Sequence, residues 1–358
     1  MMIITVIIVI GYLLACLVPF VKPASFLPIA LAGLAFPALF VVYLLLLLYW
    51  FFKWKKLTII LGFLFLLGLQ QFSVVLGLHF FEPKFNTEKK EGVIRVLNWN
   101  VFRWDEQNKN AKGGMSNRMH MMDVIQMQDA DILCLQEFFE PFGHTKYESN
   151  LKELEKRGYP YQYFYPSASL AGGKYQFGMA ILSRYPIIKA DTIAFIGGDH
   201  SEGVLWTDIK VNNDTVRTYV FHLESFRLGK QTFFYINANA GTWTNTKGNV
   251  SKLKNVYAYR QQQADVFSRA IESSPHPVVL CGNLGDVPTS NTYFTVKNKL
   301  NDSFLERSAG FGRTFRFVLP TARVDYVFTD KRFLLDQFYM PDIAYSDHFP
   351  QVVDIKLK

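Results

Sequence analysis

The sequence predicts an α+β domain carried behind a helical membrane anchor, and three observations lead there. No Asp or Glu occurs before Glu82, and only Lys22, Lys53, Lys55 and Lys56 carry charge ahead of it. From about residue 93 onward, short β-rich runs alternate with a few amphipathic helices, the pattern of one large layered domain. No internal repeat or low-complexity tract interrupts that pattern.

Three apolar stretches occupy the amino-terminal region, at 1–20, 25–52 and 57–81. Each meets the length of about 20 residues needed to cross about 30 Å of hydrocarbon, so three transmembrane helices are expected over 1–81. Met-Met-Ile-Ile-Thr-Val lacks the charged start of a signal peptide, and no small-residue cleavage site follows Phe20. Pro28 and Pro37 are expected to kink the second helix. Lys53-Trp54-Lys55-Lys56 outweighs Lys22, which places that turn on the cytoplasmic side by the positive-inside rule. The soluble part then lies outside, in the periplasm or extracellular space of a bacterial-type inner or plasma membrane, as the carboxy-terminal part of a multi-pass protein.

A polar stretch with Pro83 makes residues 82–92 a linker, and 93–358 the domain. Strands are expected at 93–101, 132–135, 161–165, 177–182, 187–195, 204–211, 216–222, 278–281, 314–317, 324–328 and 352–357. Several are apolar on both faces, as in the middle of two packed sheets. Helices fit 117–128, with Met119, Met122, Ile125 and Met127 near helical spacing, and 146–157. A third fits 252–272, where Val256, Tyr259, Gln263, Val266, Phe267 and Ile271 form one stripe. Residues 226–251 are longer than most connections and read either as an irregular surface loop or as a flap over the cleft or a membrane-facing element.

Of 38 basic side chains four lie in the anchor, leaving 34 against 30 acidic ones. So mild a surplus gives little support to a nucleic-acid binder; phosphoesters and phospholipid headgroups stay allowed. Cys16, Cys134 and Cys281 imply no disulfide framework and read as buried thiols.

Five short motifs follow one another at strand ends: Leu97-Asn98-Trp99-Asn100, Leu135-Gln136-Glu137, Phe221-His222-Leu223-Glu224-Ser225, Arg323-Val324-Asp325-Tyr326 and Ser346-Asp347-His348. Together with Ile181-Leu182-Ser183-Arg184-Tyr185-Pro186 and Gly312-Arg313-Thr314, they resemble the endonuclease/exonuclease/phosphatase superfamily of deoxyribonuclease I-like folds. The resemblance implies a four-layer α/β/β/α sandwich and metal-dependent phosphoester hydrolysis. It further implies Glu137 as ligand of Mg²⁺ or Mn²⁺, assisted by Asn100 with Asp347 nearby, and His222 and His348 facing the phosphate with Asp325 orienting His348. Such hydrolysis needs a cation against developing charge, an activated water and donors around the phosphoryl oxygens.

One motif departs. Where the family carries Gly-Asp-x-Asn this chain reads Gly282-Asn283-Leu284-Gly285. The family's Asp accepts a proton from water and its Asn donates to the phosphate; a neutral amide at Asn283 cannot do the first and Gly285 has no side chain for the second. Shifting the alignment to Gly285-Asp286 puts Pro288 at the phosphate-binding position, which argues against it. The expectation is a membrane-anchored relative with a degraded centre that binds or scaffolds within a membrane complex, its partners the bilayer and other integral membrane proteins. The alternatives are a Mg²⁺-dependent phosphodiesterase or phosphatase acting on lipid headgroups or other phosphoesters, and, less favoured, a nuclease.

Overall fold

The computed structural model describes residues 1–106, 116–193, 195, 203–224, 246–316 and 321–358, with backbone alone at 246–249. The chain divides into two compact units, one of Met1–Val75, Glu224–Val266 and Gly285–Val296, the other of Leu76–Leu223, Phe267–Leu284 and Lys297–Lys358.

The amino-terminal helices are α1 (Met2–Cys16), α2 (Leu27–Leu34), α3 (Phe36–Lys53), α4 (Lys55–Leu66) and α5 (Leu69–Val75). Three uninterrupted spans are therefore not what forms. Only α3 is by itself long and apolar enough to cross a membrane; α4 and α5 pass together as a pair bent by 54°, and α1 is a shorter apolar helix. The stretch 25–52 breaks at Ala35, just before Pro37 at the start of α3. Proline has no N–H for the carbonyl four residues back, here Gly33. The Thr289 hydroxyl takes that carbonyl instead, donating to Gly33 O at 2.7 Å.

Polar groups among these helices point inward. Tyr12 donates to Phe65 O, Tyr43 to Leu61 O, Gln71 to Cys16 O and Trp50 Nε1 to Thr5 Oγ1. Ile3, Ile7, Leu45, Leu48, Phe52 and Phe63 are exposed. In the same unit Asn291 Nδ2 donates to Val18 O at 3.0 Å and Lys22 pairs with Asp265 at 2.6 Å.

The second unit begins with β1 (Gly77–Leu78) and continues through β2 (Ile94–Asn100), α6 (Arg118–Gln128), β3 (Ile132–Pro141), α7 (Asn150–Lys156), β4 (Tyr161–Leu170), β5 (Tyr175–Ser183), β6 (Ile187–Ile193), β7 (Gly203–Val211) and β8 (Asp214–His222). After α8 (Thr246–Glu272) come β9 (Val278–Asn283), α9 (Asn291–Lys297), which like α8 falls mainly in the first unit, β10 (Asn301–Asp302), α10 (Ser303–Arg307), β11 (Ala309–Gly310), β12 (Asp325–Thr329), β13 (Phe333–Tyr339) and β14 (Gln351–Leu357). Two six-stranded sheets result, ordered β13-β14-β2-β3-β5-β4 and β10-β12-β9-β8-β7-β6. Their facing side chains make one apolar core, with Val96, Cys134 and Ile181 of the first sheet packed with Leu205, Val220, Cys281 and Val327 of the second. An α+β fold of two packed sheets with helices is thus present.

Several sequence expectations need correction. On α6, Met121, Met122 and Ile125 are buried while Met119 and Met127 are exposed, because the helix turns its inward face one position from the methionine stripe. On α8 the inward residues include Tyr257, Arg260, Gln263, Ala264 and Phe267, and Tyr259 is exposed. The strand at 314–317 reduces, among described residues, to a bridge between Phe315 and His348. Of 226–251, residues 226–245 lie outside the described residues.

Candidate functional site

Parallel pairing sets the carboxy-terminal end of β2 beside the middle of β3 in one sheet, and brings the carboxy-terminal ends of β8 and β9 together in the other. Several of the motifs lie at these positions. Asn100 closes β2, and its Nδ2 donates to Glu137 Oε1 at 3.1 Å. Glu137 lies where the β3/β5 register shifts between Leu135 and Phe138, with φ of 48°. Such a bulge re-aims a side chain, and a left-handed non-glycine residue costs about 1–3 kcal/mol that its surroundings must offset.

One residue past Asn100 the backbone turns left-handed for four residues, Phe102 to Asp105, at φ of 45°, 54°, 58° and 57°. Asn100 Oδ1 accepts the Phe102 N–H, Trp104 packs edge-on against Phe138, and the Asp105 carboxylate accepts from Asn117. The turn carries Arg103 back toward β3, its guanidinium over Phe177 and its Nε 4.0 Å from Glu137 Oε2. Burial works to raise the Glu137 pKa, but Arg103, His222, the Asn100 hydrogen bond and His348 together hold it below the usual carboxylate range.

In the other sheet, His222, Asn283 and Asp325 stand in adjacent register. His222 of β8 pairs with Asn283 of β9, and Asn283 with Asp325 of β12. All three are buried. Asp325 Oδ2 lies 2.6 Å from His348 Nδ1. Its N–H and that of Val324 donate to Thr314 Oγ1, both at 3.0 Å. Burial alone would lower the His348 pKa; Asp325, Asp347 and Glu137 outweigh it and push the value up to about 9. At neutral pH the ring is therefore a cation.

Each residue expected from sequence can now be placed. Asn100 touches Glu137, His348 touches Asp325, and Asn283 stands between His222 and Asp325. Asp347 is buried beside His348 with Ser346 Oγ 3.3 Å from its Oδ1. Gly285 has φ of 62°. Asp286 is engaged elsewhere: Arg260 Nη1 donates to it at 2.7 Å, and Val287 N and Thr292 Oγ1 are also among its partners.

Two features escaped the sequence reading. Arg103 depends on a left-handed turn that no local pattern announces. A chain of buried amides, from Gln136 to Asn98 to Gln351 and on to the Asp325 carbonyl, ties the strand ends together. Gln351 gave no signal, since its role exists only once β14 pairs with β2.

For a divalent ion the described residues offer no group of three or more His, Cys, Asp or Glu side chains. Mg²⁺ commonly keeps several waters and takes only one or two carboxylates. Glu137, ionised and partly exposed at 20%, suits such a hydrated ion.

The profile of the Endonuclease/Exonuclease/phosphatase family matches residues 97–348. The chain belongs to this family. A second profile, described as a domain of unknown function, matches residues 1–75. No curated protein matches the sequence. Solved structures share the family fold. A family protein from Beutenbergia cavernae is 19% identical, covering 75% of this chain and 72% of its own, with a TM-score of 0.55. The human Nocturnin catalytic domain is 17% identical over 75% of this chain and 95% of its own, with a TM-score of 0.53. A family protein from Bacteroides vulgatus is 16% identical over 74% and 99%, with a TM-score of 0.51.

Proposed function

We propose that this family member is a membrane-tethered phosphoester-binding protein whose catalytic centre is impaired, acting as a binding or scaffolding subunit of a membrane complex. The observation that carries this reading is Asn283, a carboxamide held in register between His222 and Asp325. A carboxamide has no basicity near neutral pH, so water in this pocket finds no proton acceptor there. The cationic His348 suits the retention of a phosphate.

The helices support the tether. Their outward faces are apolar and their hydrogen bonds internal, the arrangement lipid requires. Residues 18 and 33 bond to Asn291 and Thr289. This supports a topology in which the α1–α2 connection lies on the same side as those residues, opposite the Lys53–Lys56 turn.

A bound Mg²⁺ or Mn²⁺ would supply charge neutralisation at the phosphoryl oxygens. Glu137 would hold it and Asn100 would orient Glu137. Asp325 holds the His348 proton at Nδ1, leaving Nε2 to face a ligand oxygen.

Loss of a general base typically costs about 10²–10⁴ in rate and of one oxyanion donor about 10²–10³. Because such losses do not add, the natural chain should run about 10³–10⁶ below an intact centre. The test is turnover of bis(p-nitrophenyl) phosphate and p-nitrophenyl phosphate by the full chain in micelles with Mg²⁺ or Mn²⁺. Asn283→Asp with Gly285→Asn should raise turnover about 10³-fold or more; asparagine is among the few residues that accept a φ like that of Gly285. Robust turnover by the natural chain that vanishes in Glu137→Ala would overturn the reading.

The His348–Asp325 pair, intact at 2.6 Å, favours a second reading: a metal-dependent phosphodiesterase or phosphatase acting on lipid headgroups or other phosphoesters beside the membrane. An active natural chain that gains nothing from the double substitution would select it.

A further inference from the structure

The segment that opens the second unit turns large apolar side chains outward. Leu78, Phe80 and Phe81 are 60%, 62% and 100% exposed, and Phe311, just past β11, is 45% exposed. β1 and β11 pair Gly77 with Gly310 and Leu78 with Ala309, and the His79 N–H extends the ribbon to Ser308 O at 3.3 Å. The other face of this ribbon is closed. Gly77 is buried, and a Cβ there would lie 2.4 Å from Ser308 O and 3.2 Å from Phe304 Cε1, so the ribbon lies tight against α10 and Leu78 points the opposite way. The Phe80 N–H donates to Leu78 O at 3.1 Å, which tightens the turn that displays both phenylalanines. Apolar groups clustered on a surface in this way mark a contact with protein or membrane.

Chain connectivity decides between the two. α4 and α5 together make the bent pair that is long and apolar enough to cross a bilayer, and α5 ends at Val75. Only Leu76 separates Val75 from Gly77. Gly77 therefore lies within about 7 Å of the end of α5, and Leu78 within about 11 Å. The headgroup layer on each side of the hydrocarbon is about 5–8 Å thick, so a segment tethered this closely meets lipid first. Its composition suits that layer: Phe and Leu are side chains that enter the boundary between headgroups and acyl chains. The charge beside them is nearly balanced, Glu82 pairing with both His79 and Arg307.

We propose that Leu78, Phe80, Phe81 and Phe311 form a bilayer-contacting face of the second unit, seated in the headgroup layer beside the end of α5. This rests on the membrane tether of the reading above and adds to it a second contact that does not span. β11 runs on through Gly312 and Arg313 to Thr314, which accepts the Asp325 N–H, and to Phe315, which is bridged to His348. Phe311 and Phe315 are close in sequence, so the seated face keeps Phe315 within about 14 Å of Phe311. The candidate site is thereby held near the bilayer surface.

The experiment is site-directed spin labelling of the full chain in proteoliposomes of phosphatidylcholine, and separately of phosphatidylethanolamine with phosphatidylglycerol. Single nitroxides go on Leu78→Cys, Phe81→Cys and Phe311→Cys. Leu45→Cys, exposed on α3, is the lipid reference, and Ile188→Cys, exposed on β6 at the opposite edge of the second sheet from β10, is the aqueous one. The native cysteines are buried. Power saturation compares collisions with oxygen, which concentrates in lipid, and with a water-soluble nickel chelate. Labels at 78, 81 and 311 should favour oxygen over the chelate relative to Ile188, in both lipid mixtures and at low and high salt alike, because balanced charge leaves little to screen. Phe80→Ser with Phe81→Ser should shift the label at 311 toward the aqueous ratio. Labels at all three positions that match Ile188 overturn the proposal, while a Leu45 label that favours oxygen keeps the tether. Labels shielded from both reagents mean that protein covers the face, and overturn it equally. A Leu45 label that matches Ile188 overturns the tether and the proposal with it. If one labelled variant fails to fold, as circular dichroism would reveal, the other two positions decide, since each is exposed independently.

Discussion

His348 Nδ1 lies 2.6 Å from Asp325 Oδ2 in a buried pair that the Asn283 strand separates from His222. The geometry keeps a proton on the imidazole well above the pH at which a free histidine releases it, and this has a measurable signature.

His348 has a pKa pushed up to about 9 in the folded chain, against about 6.5 unfolded. A raised histidine pKa stabilises the fold fully below about pH 6.5; the contribution declines above that and is gone once pH passes about 9. The window corresponds to on the order of 3 kcal/mol. Thermal unfolding followed from pH 6 to 10 should show the decline in the natural chain and a much flatter profile in Asp325→Asn, and NMR titration of His348 should move toward 6.5 in that variant.

Arg260 and Asp286 form a buried ion pair at 2.7 Å, both side chains nearly inaccessible. Removing one partner strands the other charge, so Arg260→Ala or Asp286→Ala should each cost about 3–5 kcal/mol in denaturant unfolding, and a double change to apolar residues less than either. Asp286 accepts from Arg260, Val287 and Thr292, which argues against its acting as a substitute base. Any turnover detected in the natural chain should persist in a folded Asp286→Asn variant.

A Cβ on Gly33 would lie 2.4 Å from Thr289 O and 2.9 Å from Val18 Cγ2. Gly33→Val should therefore pry the α1–α2 connection from residues 289–291, read as faster limited proteolysis there. Asn291→Ala should cost about 1–3 kcal/mol, because it leaves the Val18 carbonyl unpaired.

Cysteine labelling tests the topology in cells. With Cys16, Cys134 and Cys281 buried, a Gly143→Cys variant should react with an impermeant maleimide from outside, and Lys55→Cys only after permeabilisation. The reverse pattern would invert the assignment.

The β-sheets were largely legible because their central strands are apolar on both faces: Ile94–Asn100 and Val278–Asn283 fall close to where the sequence put them. Strand β13 left no such mark, since it lies at a sheet edge with Leu334 exposed. The motif order followed the strands that carry the site, although Glu137 lies inside β3 and His348 precedes β14. What it missed were features born of backbone handedness, Arg103 foremost, and of long-range pairing, as with Gln351. The amino-terminal helices were misjudged in continuity: hydropathy records the length of an apolar run and is silent about Pro37 opening the helix at Ala35.

The hydroxyl of Thr289 completes what Pro37 left undone at Gly33. Helices joined this way are not interchangeable. Exchanging them for an unrelated hydrophobic helix of equal span would remove the partners of Thr289 and Asn291, so the amino-terminal helices and the segment they hold should change together as this lineage diverges.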